Sequence, residues 1–451
     1  MNSFLSIFRT EDGQNRLFTF ALICCLFGLS GLCNGMIDVL NKHFKDSLHL
    51  SDSQSALVQG AWYGAYFIMA FPGGFVARRF GYRGGILTGL TIILAASLLF
   101  IPVTRMSGAN LLVYAAFLAT LFAVAAGFTF LETAANPYAT VLGPPDGASS
   151  RINLAQSFNA IGWILGPILG GKFTLAATGG QGAASNASLY IPYLVVAGLV
   201  LILLAIFSIA PVPNLQAKDE TCQTIHGHRR RRPLFKEQHF VLGIGAQFLY
   251  VAGQCGIFAF FITYILDPDL TPALPAWAAQ HMPEALRQLA GGQWHITKAC
   301  SPILLSTAFA LFALGRFSGS AIQRYCQPAA VLGTYGLINV MLMVLVLAGL
   351  GWVSVLALMV SFFFMSIMYP TIFALGIRGL GHNTKLAASC MVTTIIGGAL
   401  IPYCMGRVID RFGMNLSFLI PAACFAYIAF YGLTWRRVFA HDAEEAPVIQ
   451  S

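Results

Sequence analysis

The stretch FTFLETAANPYATVLG, residues 128–143, places a carboxylate, an amide and a proline in a segment that is otherwise apolar. These residues are Glu132, Asn136 and Pro137. A charge at the centre of a membrane-spanning helix costs about 2.5–3.5 kcal/mol on insertion scales, so it is usually retained where it faces a cavity or an ion pathway. The stretch raises two questions. The first is whether the chain spans a membrane, and the second is what the carboxylate does there.

The composition answers the first question. Of the 451 residues, 57% are hydrophobic and 10% are charged, and the mean hydropathy is +0.72. Average soluble proteins carry roughly 25% charged residues, so the class is a helical integral membrane protein. The formal net charge of +9 lies mostly in short loops between apolar runs, which argues against a nucleic-acid surface. The ten cysteines show no ligand or disulfide spacing, and we predict neither a metal site nor a cofactor.

Apolar runs long enough to cross a bilayer, which takes about 20 residues, define the predicted fold. The fold class is all-α, with twelve transmembrane helices. An even number of spans places both termini on one side, and the positive-inside rule favours the cytoplasm, although Arg407 and Arg411 go against the trend. The loop at 266–299 shows no recognisable chemistry. The twelve runs are 17–39, 55–77, 84–104, 110–135, 152–175, 189–211, 240–265, 301–322, 328–350, 352–376, 386–406 and 416–434.

An internal repeat divides these runs into two sets of six. The repeated positions occur in the same order on corresponding runs, which indicates a duplication. We therefore predict an N-terminal six-helix half at 1–211, a basic cytoplasmic linker at 212–239 and a C-terminal half at 240–451. This arrangement resembles the major facilitator transporters, whose substrate site lies between the halves. The matched pairs are Pro137/Pro370, Leu142/Leu375, Gly143/Gly376, Arg151/Lys385, Gly162/Gly397, Pro167/Pro402 and Gly171/Gly406.

Acidic residues are scarce inside the predicted spans. The chain has 17 Asp and Glu, and only Asp38 and Glu132 lie within a span or at its edge. A carboxyl group in a dry cavity can exchange a proton near neutral pH, because burial disfavours its charged form. We therefore predict that Asp38 and Glu132 couple transport to protons. The alternatives are that Glu132 only packs as a protonated carboxyl and that Asp38 lies at the outer interface.

Neutral polar side chains form stripes at helical spacing on several spans. Amides and phenols beside flat rings such as Trp62 and Phe158 suit a polyhydroxylated ligand, so the stripes predict a sugar site. The alternative is hydrogen bonding between helices, worth on average about 0.6 kcal/mol per bond. The stripes also contain Asn153 in span five and Gln59, Tyr63 and Tyr66 in span two, which are not assigned to the substrate. The candidate substrate-binding residues are Asn34, Asp38, Gln156, Asn159, Gln247, Tyr250, Gln254 and Tyr369.

One long stretch resembles a known family. LETAANPYATVLGPPDGASSRINLAQSFNAIG, residues 131–162, is similar to spans four and five of the fucose–galactose–glucose:proton symporters, and most closely to their L-fucose branch. The segments NGMIDVL, AQFLYVAGQ, SIMYPTIFALGIRGLG and TTIIGGALIP extend the similarity over nearly the whole chain. The resemblance implies that Asp38 binds substrate and takes part in proton coupling, and that Glu132 is the second coupling carboxyl. It also implies that Gln156, Asn159 and Tyr369 line the sugar cavity.

A gate is expected at the cytoplasmic end of span four. There Asn136 and Pro137 are predicted to break the helix, and freed backbone groups can be satisfied by neighbouring helices or water. Arg151 and Pro370 are the other candidate gating residues.

Two sugar classes remain open. Gly35 stands where the fucose carriers have a second asparagine, and CGIFAFFITYIL and AYIAFYGL are closer to the glucose/galactose branch. That branch generally lacks the acid at Glu132, and it reads TLTQAFN where this chain has NLAQSFN. We therefore expect a monosaccharide importer for L-fucose first and for glucose or galactose second, driven by protons through alternating access.

The remaining expectations concern location, partners and other function classes. We expect a functional monomer in the bacterial inner membrane, in contact with sugar, protons and lipids but not nucleic acid. Proton-driven efflux of a sugar or drug is a weaker alternative. An enzyme is not expected, because the nine histidines lie in or near loops and no nucleotide-binding motif occurs.

Overall fold

The structure is a computed structural model and is largely α-helical. It describes residues 7–8, 14–48, 52–106, 110–177, 191–210, 212–213, 233–267, 270–271, 273–274, 280–281, 283, 287–290, 293–296 and 300–444. The first five helices are α1 (Leu17–Leu48), α2 (Asp52–Thr104), α3 (Asn110–Val141), α4 (Ala148–Ala177) and α5 (Ile191–Ile209).

Shorter elements appear further along the chain. Part of the predicted outer loop forms an antiparallel hairpin, in which Arg287 pairs with Ile296. The elements are α6 (Gln238–Leu266), β1 (Arg287–Ala290), β2 (Gln293–Ile296), α7 (Ser301–Ile322), α8 (Pro328–Leu347), α9 (Trp352–Met365), α10 (Met368–Gly376), α11 (Thr384–Thr393), α12 (Gly397–Phe412), α13 (Met414–Ser417) and α14 (Leu419–Glu444).

The twelve predicted spans are found as helices. Among the described residues, ten helical segments are long and apolar enough to cross a membrane. One of them, Leu57–Thr104, contains two predicted spans, which meet at Gly81 with φ 75° and ψ 176°. Only glycine adopts such a conformation readily, so the chain can turn there. The fifth predicted span, 152–175, lies in the 30-residue helix α4. The all-α membrane fold is thus confirmed.

The prediction that Asn136 and Pro137 break the fourth span is wrong. Helix α3 continues through both residues and ends at Val141. Proline removes one backbone donor but is tolerated in membrane helices, because side chains, waters or neighbouring helices can bond the carbonyl group that is left without a donor. The backbone donor that Pro137 lacks would have bonded the Thr133 carbonyl, four residues earlier. The Pro137 carbonyl itself accepts a hydrogen bond of 2.7 Å from the Thr140 hydroxyl. Span ten, in contrast, is interrupted between Met365 and Met368.

The chain separates into two compact units. The first contains Met1–Ile244, Pro370–Ile396 and Arg437–Ser451, and the second contains Gly245–Tyr369 and Gly397–Arg436. The first unit therefore includes α11 and most of α10 together with the N-terminal helices. Within it, the Lys385 ammonium of α11 lies 4.8 Å from the centre of the Tyr82 ring of α2. The predicted division into halves at residues 212–239 remains a prediction.

The predicted repeat has a counterpart in helix packing. In the first unit, a Cβ atom at Gly162 of α4 would lie 2.5 Å from the Gly28 carbonyl oxygen of α1. In the second unit, a Cβ atom at the matched Gly397 of α12 would lie 2.8 Å from the Phe248 carbonyl oxygen of α6. Both glycines thus let two backbones approach closely, span five against span one and span eleven against span seven.

Candidate functional site

Glu132 of α3 occupies a buried, hydrogen-bonded position in the first unit. Its side chain is 8% exposed. The Ser30 hydroxyl of α1 and the Tyr66 hydroxyl of α2 each donate a hydrogen bond of 3.0 Å to the same oxygen, Glu132 Oε1. Donors favour the ionised carboxylate, whereas burial favours the protonated form. The arrangement therefore suits a group that changes its protonation state.

Aromatic rings surround the Tyr66 donor. The buried Trp62 ring lies with its centre 6.3 Å from that of Tyr66 and 6.0 Å from that of Phe128. Trp62 and Tyr66 are one helical turn apart on α2, and Phe128 is one turn before Glu132 on α3. The packing limits the positions that the Tyr66 ring can take and keeps its hydroxyl near the carboxylate.

Asn34 extends this polar group along α1. Its Nδ2 donates to the Ser30 carbonyl oxygen at 2.9 Å and lies 3.5 Å from Ser30 Oγ. Asp38 is one further turn along the same helix, and positions four apart lie on one helix face. The Asp38 side chain is outside the described residues, so its roles in substrate binding and coupling stay predictions.

The predicted polar stripe of span five packs inside the first unit. Gln156 Nε2 donates to Asn136 Oδ1 at 3.0 Å, and Asn159 Nδ2 donates to the Phe27 carbonyl at 3.3 Å. Asn153 Nδ2 donates to Thr371 Oγ1 at 3.0 Å. These amides connect α4 with α3, α1 and α10, so the alternative of interhelical hydrogen bonds holds for these donors. Sugar binding by Gln156 and Asn159 stays a prediction.

Gln247 of α6 carries unmatched polar atoms in the second unit, and Tyr250 lies one turn further along the same helix. Both side chains are 0% exposed. Both amide atoms of Gln247 lack a hydrogen-bond partner in the described part of the chain, whereas the side chain of Tyr250 interacts with Arg316. Most buried polar groups are paired, and an unpaired one costs about 1–3 kcal/mol. These atoms are therefore suited to bind a hydroxylated ligand.

Tyr369 and Gln254 add to this polar region. The centres of the Tyr250 and Tyr369 rings are 6.3 Å apart, and Tyr369 is buried. Gln254 is also buried and follows Tyr250 by one turn on α6. Four of the predicted substrate-binding residues thus lie in the second unit. Three of them share α6, and the fourth, Tyr369, lies near Tyr250 at the start of α10.

Arg316 of α7 is a buried cation in the second unit. It is 4% exposed, and its Nε donates to the Ser366 carbonyl oxygen at 3.1 Å. Its guanidinium lies 4.6 Å from the centre of the Phe312 ring and interacts electrostatically with Tyr250. The guanidinium thus places positive charge beside the Tyr250 side chain of α6.

Arg151 is engaged with backbone carbonyl groups. Its guanidinium donates to the carbonyl oxygens of Thr140 and, at 3.2 and 3.1 Å, of Ala139 and Gly143. A further bond of 3.0 Å reaches Ile7. Carbonyl groups at the end of a helix lack partners within it, so Arg151 caps the C-terminus of α3. Its predicted gating role remains untested, as do those of Asn136, Pro137 and Pro370.

A second cluster of charges joins the ends of several helices in the first unit. His239 Nδ1 lies 2.7 Å from Asp442 Oδ2, and Nε2 lies 3.0 Å from the Arg378 carbonyl oxygen. Both ring nitrogens of His239 thus lie within hydrogen-bond distance of an oxygen. The Arg378 guanidinium in turn pairs with Asp146 at 3.0 Å. Glu237 lies near enough to His239 and Asp442 for a three-ligand metal site, but in this arrangement both ring nitrogens are already engaged by other residues.

Sequence reasoning missed several of these groups. The sequence does mark Arg316 as unusual, because it is a cation within an apolar run, but the sequence alone assigns it no role. Nothing in the sequence marks Ser30, since only the fold brings it to Glu132. His239 and Asp442 are about 200 residues apart in the sequence, and neither has a distinctive motif around it.

Taken together, the span-length helices and the buried ionisable groups define a multi-pass membrane protein of the transporter class. Residues 23–395 match the model of the Major Facilitator Superfamily, and the chain belongs to that family. The predicted family resemblance is confirmed.

Individual relatives cover almost the whole chain. The glucose/galactose transporter of Brucella abortus biovar 1 (strain 9-941) is 34% identical over 427 residues, which are 94% of this chain and 96% of that protein. The L-fucose-proton symporter of Escherichia coli (strain K12) is 34% identical over 441 residues, 93% of each protein. The crystal structure of the transporter FucP in the outward conformation is 31% identical with a TM-score of 0.75, and covers 92% of this chain and 98% of that chain.

Proposed function

We propose that the chain imports a monosaccharide together with protons by alternating access. The observation that carries the proposal is Glu132, a buried carboxylate that accepts hydrogen bonds from Ser30 and Tyr66. A carboxyl group so placed can bind a proton on one side of the membrane and release it on the other. The relatives named as sugar transporters and as a proton symporter support the same function.

L-Fucose is the first candidate substrate, and glucose or galactose is the second. The relatives named for the two sugar classes are equally similar at 34% identity. The acid at Glu132 favours L-fucose, because the glucose/galactose branch generally lacks it. Efflux of a sugar or drug is not favoured by any contact of the described residues.

We assign the coupling role to Asp38 and Glu132. The substrate would be bound by hydrogen bonds from the predicted polar side chains, among which Gln247 has two buried amide atoms without a partner in the described part of the chain. The gate would involve the ends of spans four and ten. The substrate-binding set is Asn34, Asp38, Gln156, Asn159, Gln247, Tyr250, Gln254 and Tyr369, and the gating set is Asn136, Pro137, Arg151 and Pro370.

We also propose the setting in which the protein works. It lies in the bacterial inner membrane with both termini in the cytoplasm, because the basic loop residues concentrate on that side. It acts as a monomer of two six-helix halves, 1–211 and 240–451, surrounded by lipid. Its partners are the sugar and protons, and no catalytic activity is assigned to it.

Counterflow in proteoliposomes tests substrate and coupling separately. Labelled L-fucose, D-galactose and D-glucose would each be measured in exchange without a gradient, and then in uptake driven by a pH gradient, acid outside. We expect exchange of L-fucose and gradient-driven accumulation by the wild type. Glu132→Gln should lose accumulation and retain exchange. Exchange of none of the three sugars would refute the proposed substrate class, and accumulation by Glu132→Gln would remove Glu132 from coupling.

A further inference from the structure

We propose that Ser30 and Tyr66 are positioning residues that set the pH range over which Glu132 binds and releases its proton. The inference rests on the proposed coupling role of Glu132. Neither residue binds the sugar in this scheme. They act on the carboxyl group, through hydrogen bonds that the structure shows.

The two donors converge on one oxygen of the carboxyl group. Both hydroxyls reach Glu132 Oε1 at 3.0 Å, one from α1 and the other from α2. Each carboxylate oxygen offers about two lone-pair sites, so the two donors take up those of Oε1. Protonation and release of the carboxyl group need only water or a hydronium ion as the proton's source and destination.

Both donors are held in place by their own surroundings. Ser30 is fully buried, and the Asn34 amide lies beside its hydroxyl at 3.5 Å. Tyr66 is buried against the Trp62 ring. Such donors stabilise the ionised carboxylate and have less effect on the protonated form. They offset part of the cost of burying the charge, so that Glu132 can release its proton into the cytoplasm.

Removal of one donor should shift the pH dependence of transport. In Tyr66→Phe and Ser30→Ala, Glu132 should keep its proton to a higher pH, because the ionised form has lost a hydrogen bond. A hydrogen bond to a charged group corresponds to about one pH unit. We therefore expect the alkaline limb of gradient-driven uptake to move up by about one pH unit in each variant. Sugar exchange without a gradient should change little.

Matched controls separate this effect from a general loss of packing. Tyr138→Phe also removes a hydrogen bond of a buried tyrosine, since that hydroxyl donates at 2.8 Å to the Pro213 carbonyl, a backbone group that does not titrate. Its pH profile should match the wild type. Ser30→Thr retains a hydroxyl and should restore the profile. If Ser30→Ala does not fold, Ser30→Cys supplies a weaker donor of similar size and should shift the profile in the same direction.

The experiment distinguishes failure of this inference from failure of the proposed function. If Glu132→Gln accumulates sugar normally, coupling at Glu132 is refuted and the inference with it. If Glu132→Gln loses accumulation while Tyr66→Phe and Ser30→Ala keep the wild-type pH profile, only the inference is overturned. In the Glu132→Gln background, Tyr66→Phe should not alter the pH dependence of the remaining exchange. A shift there would show that Tyr66 acts on another group.

Discussion

The unmatched amide of Gln247 leads to a prediction about the balance between stability and binding. In Gln247→Leu, an apolar side chain of similar size replaces two buried polar atoms that have no partner. Without ligand, the variant should be more stable than the wild type, because it no longer buries those atoms unpaired. In the presence of sugar it should bind more weakly, because the ligand loses the hydrogen bonds of the amide.

The expected gain in stability and the expected loss of sugar affinity both come from the amide group of Gln247. An unpaired buried polar group costs about 1–3 kcal/mol, and we expect Gln247→Leu to gain an amount in that range when no sugar is bound. The loss of sugar affinity should be about tenfold or more, since 1.4 kcal/mol corresponds to a factor of ten. Thermal unfolding of the detergent-solubilised protein, with and without L-fucose or galactose, measures both quantities. The midpoint should rise without sugar, and the sugar-induced increase should shrink.

Asn339 in the same unit provides the control. It is equally buried, and its amide can donate to the Ser361 carbonyl at 3.3 Å and accept from the Met365 N–H at 3.1 Å. Asn339→Leu should therefore lower the unfolding midpoint, whereas Gln247→Leu should raise it. If Gln247→Leu lowers the midpoint as well and leaves sugar affinity unchanged, its amide is a structural group and the proposed role in binding is refuted.

Three further predictions concern helix ends and helix packing. Arg151→Gln should destabilise the protein by about 3 kcal/mol or more, because it removes a buried cap that bonds the Ala139 and Thr140 carbonyls of α3. Unchanged thermal stability would contradict this role. Gly162→Leu should prevent folding, because a Cβ at Gly162 would lie 2.5 Å from the Gly28 carbonyl oxygen. Gly198→Leu should be tolerated, since a Cβ at Gly198 meets no atom within 4 Å. Equal yields of the two variants in membranes would refute the packing argument. Asp442→Asn should weaken the contact with His239 and the bond to the Gln238 N–H, so a cysteine introduced at Gln238 should become more reactive toward a maleimide. Equal labelling of this cysteine with Asp442 in place and in the Asp442→Asn variant would contradict it.

The helical framework could be predicted because membrane burial leaves a strong signal in sequence. In the bilayer, the N–H and C=O groups of each run of about 20 apolar residues must form hydrogen bonds within the protein, and an α-helix provides these bonds. Details that depend on single backbone bonds were not predictable in this way. Pro137 looked like a helix end by its chemistry, but α3 continues past it. The actual end at Val141 is stabilised by Arg151, which comes from the next helix.

The predicted site was partly recoverable for a similar reason. Glu132 could be identified from sequence because a carboxylate in an apolar run is costly. Its partners could not, because serine and tyrosine cost little in a span and only the fold shows that Ser30 and Tyr66 meet at one oxygen. Helical spacing identified both Gln156 in span five and Gln247 in span seven as members of polar stripes. Their hydrogen bonding differs in the structure, since the Gln156 amide is paired with Asn136 and the Gln247 amide is unmatched.

The buried charges show why composition alone could not assign their roles. Glu132, Arg151 and Arg316 are all buried ionisable groups, yet their partners differ in kind. Arg151 bonds carbonyl oxygens at a helix end, which is a structural use of charge. Arg316 bonds the Ser366 carbonyl and interacts with the side chain of Tyr250 on α6. Arg151 therefore contacts the backbone at a helix end, whereas Arg316 contacts a residue of the predicted substrate-binding set. On these contacts Arg316, and not Arg151, is the buried cation that lies beside the predicted substrate-binding residues of α6.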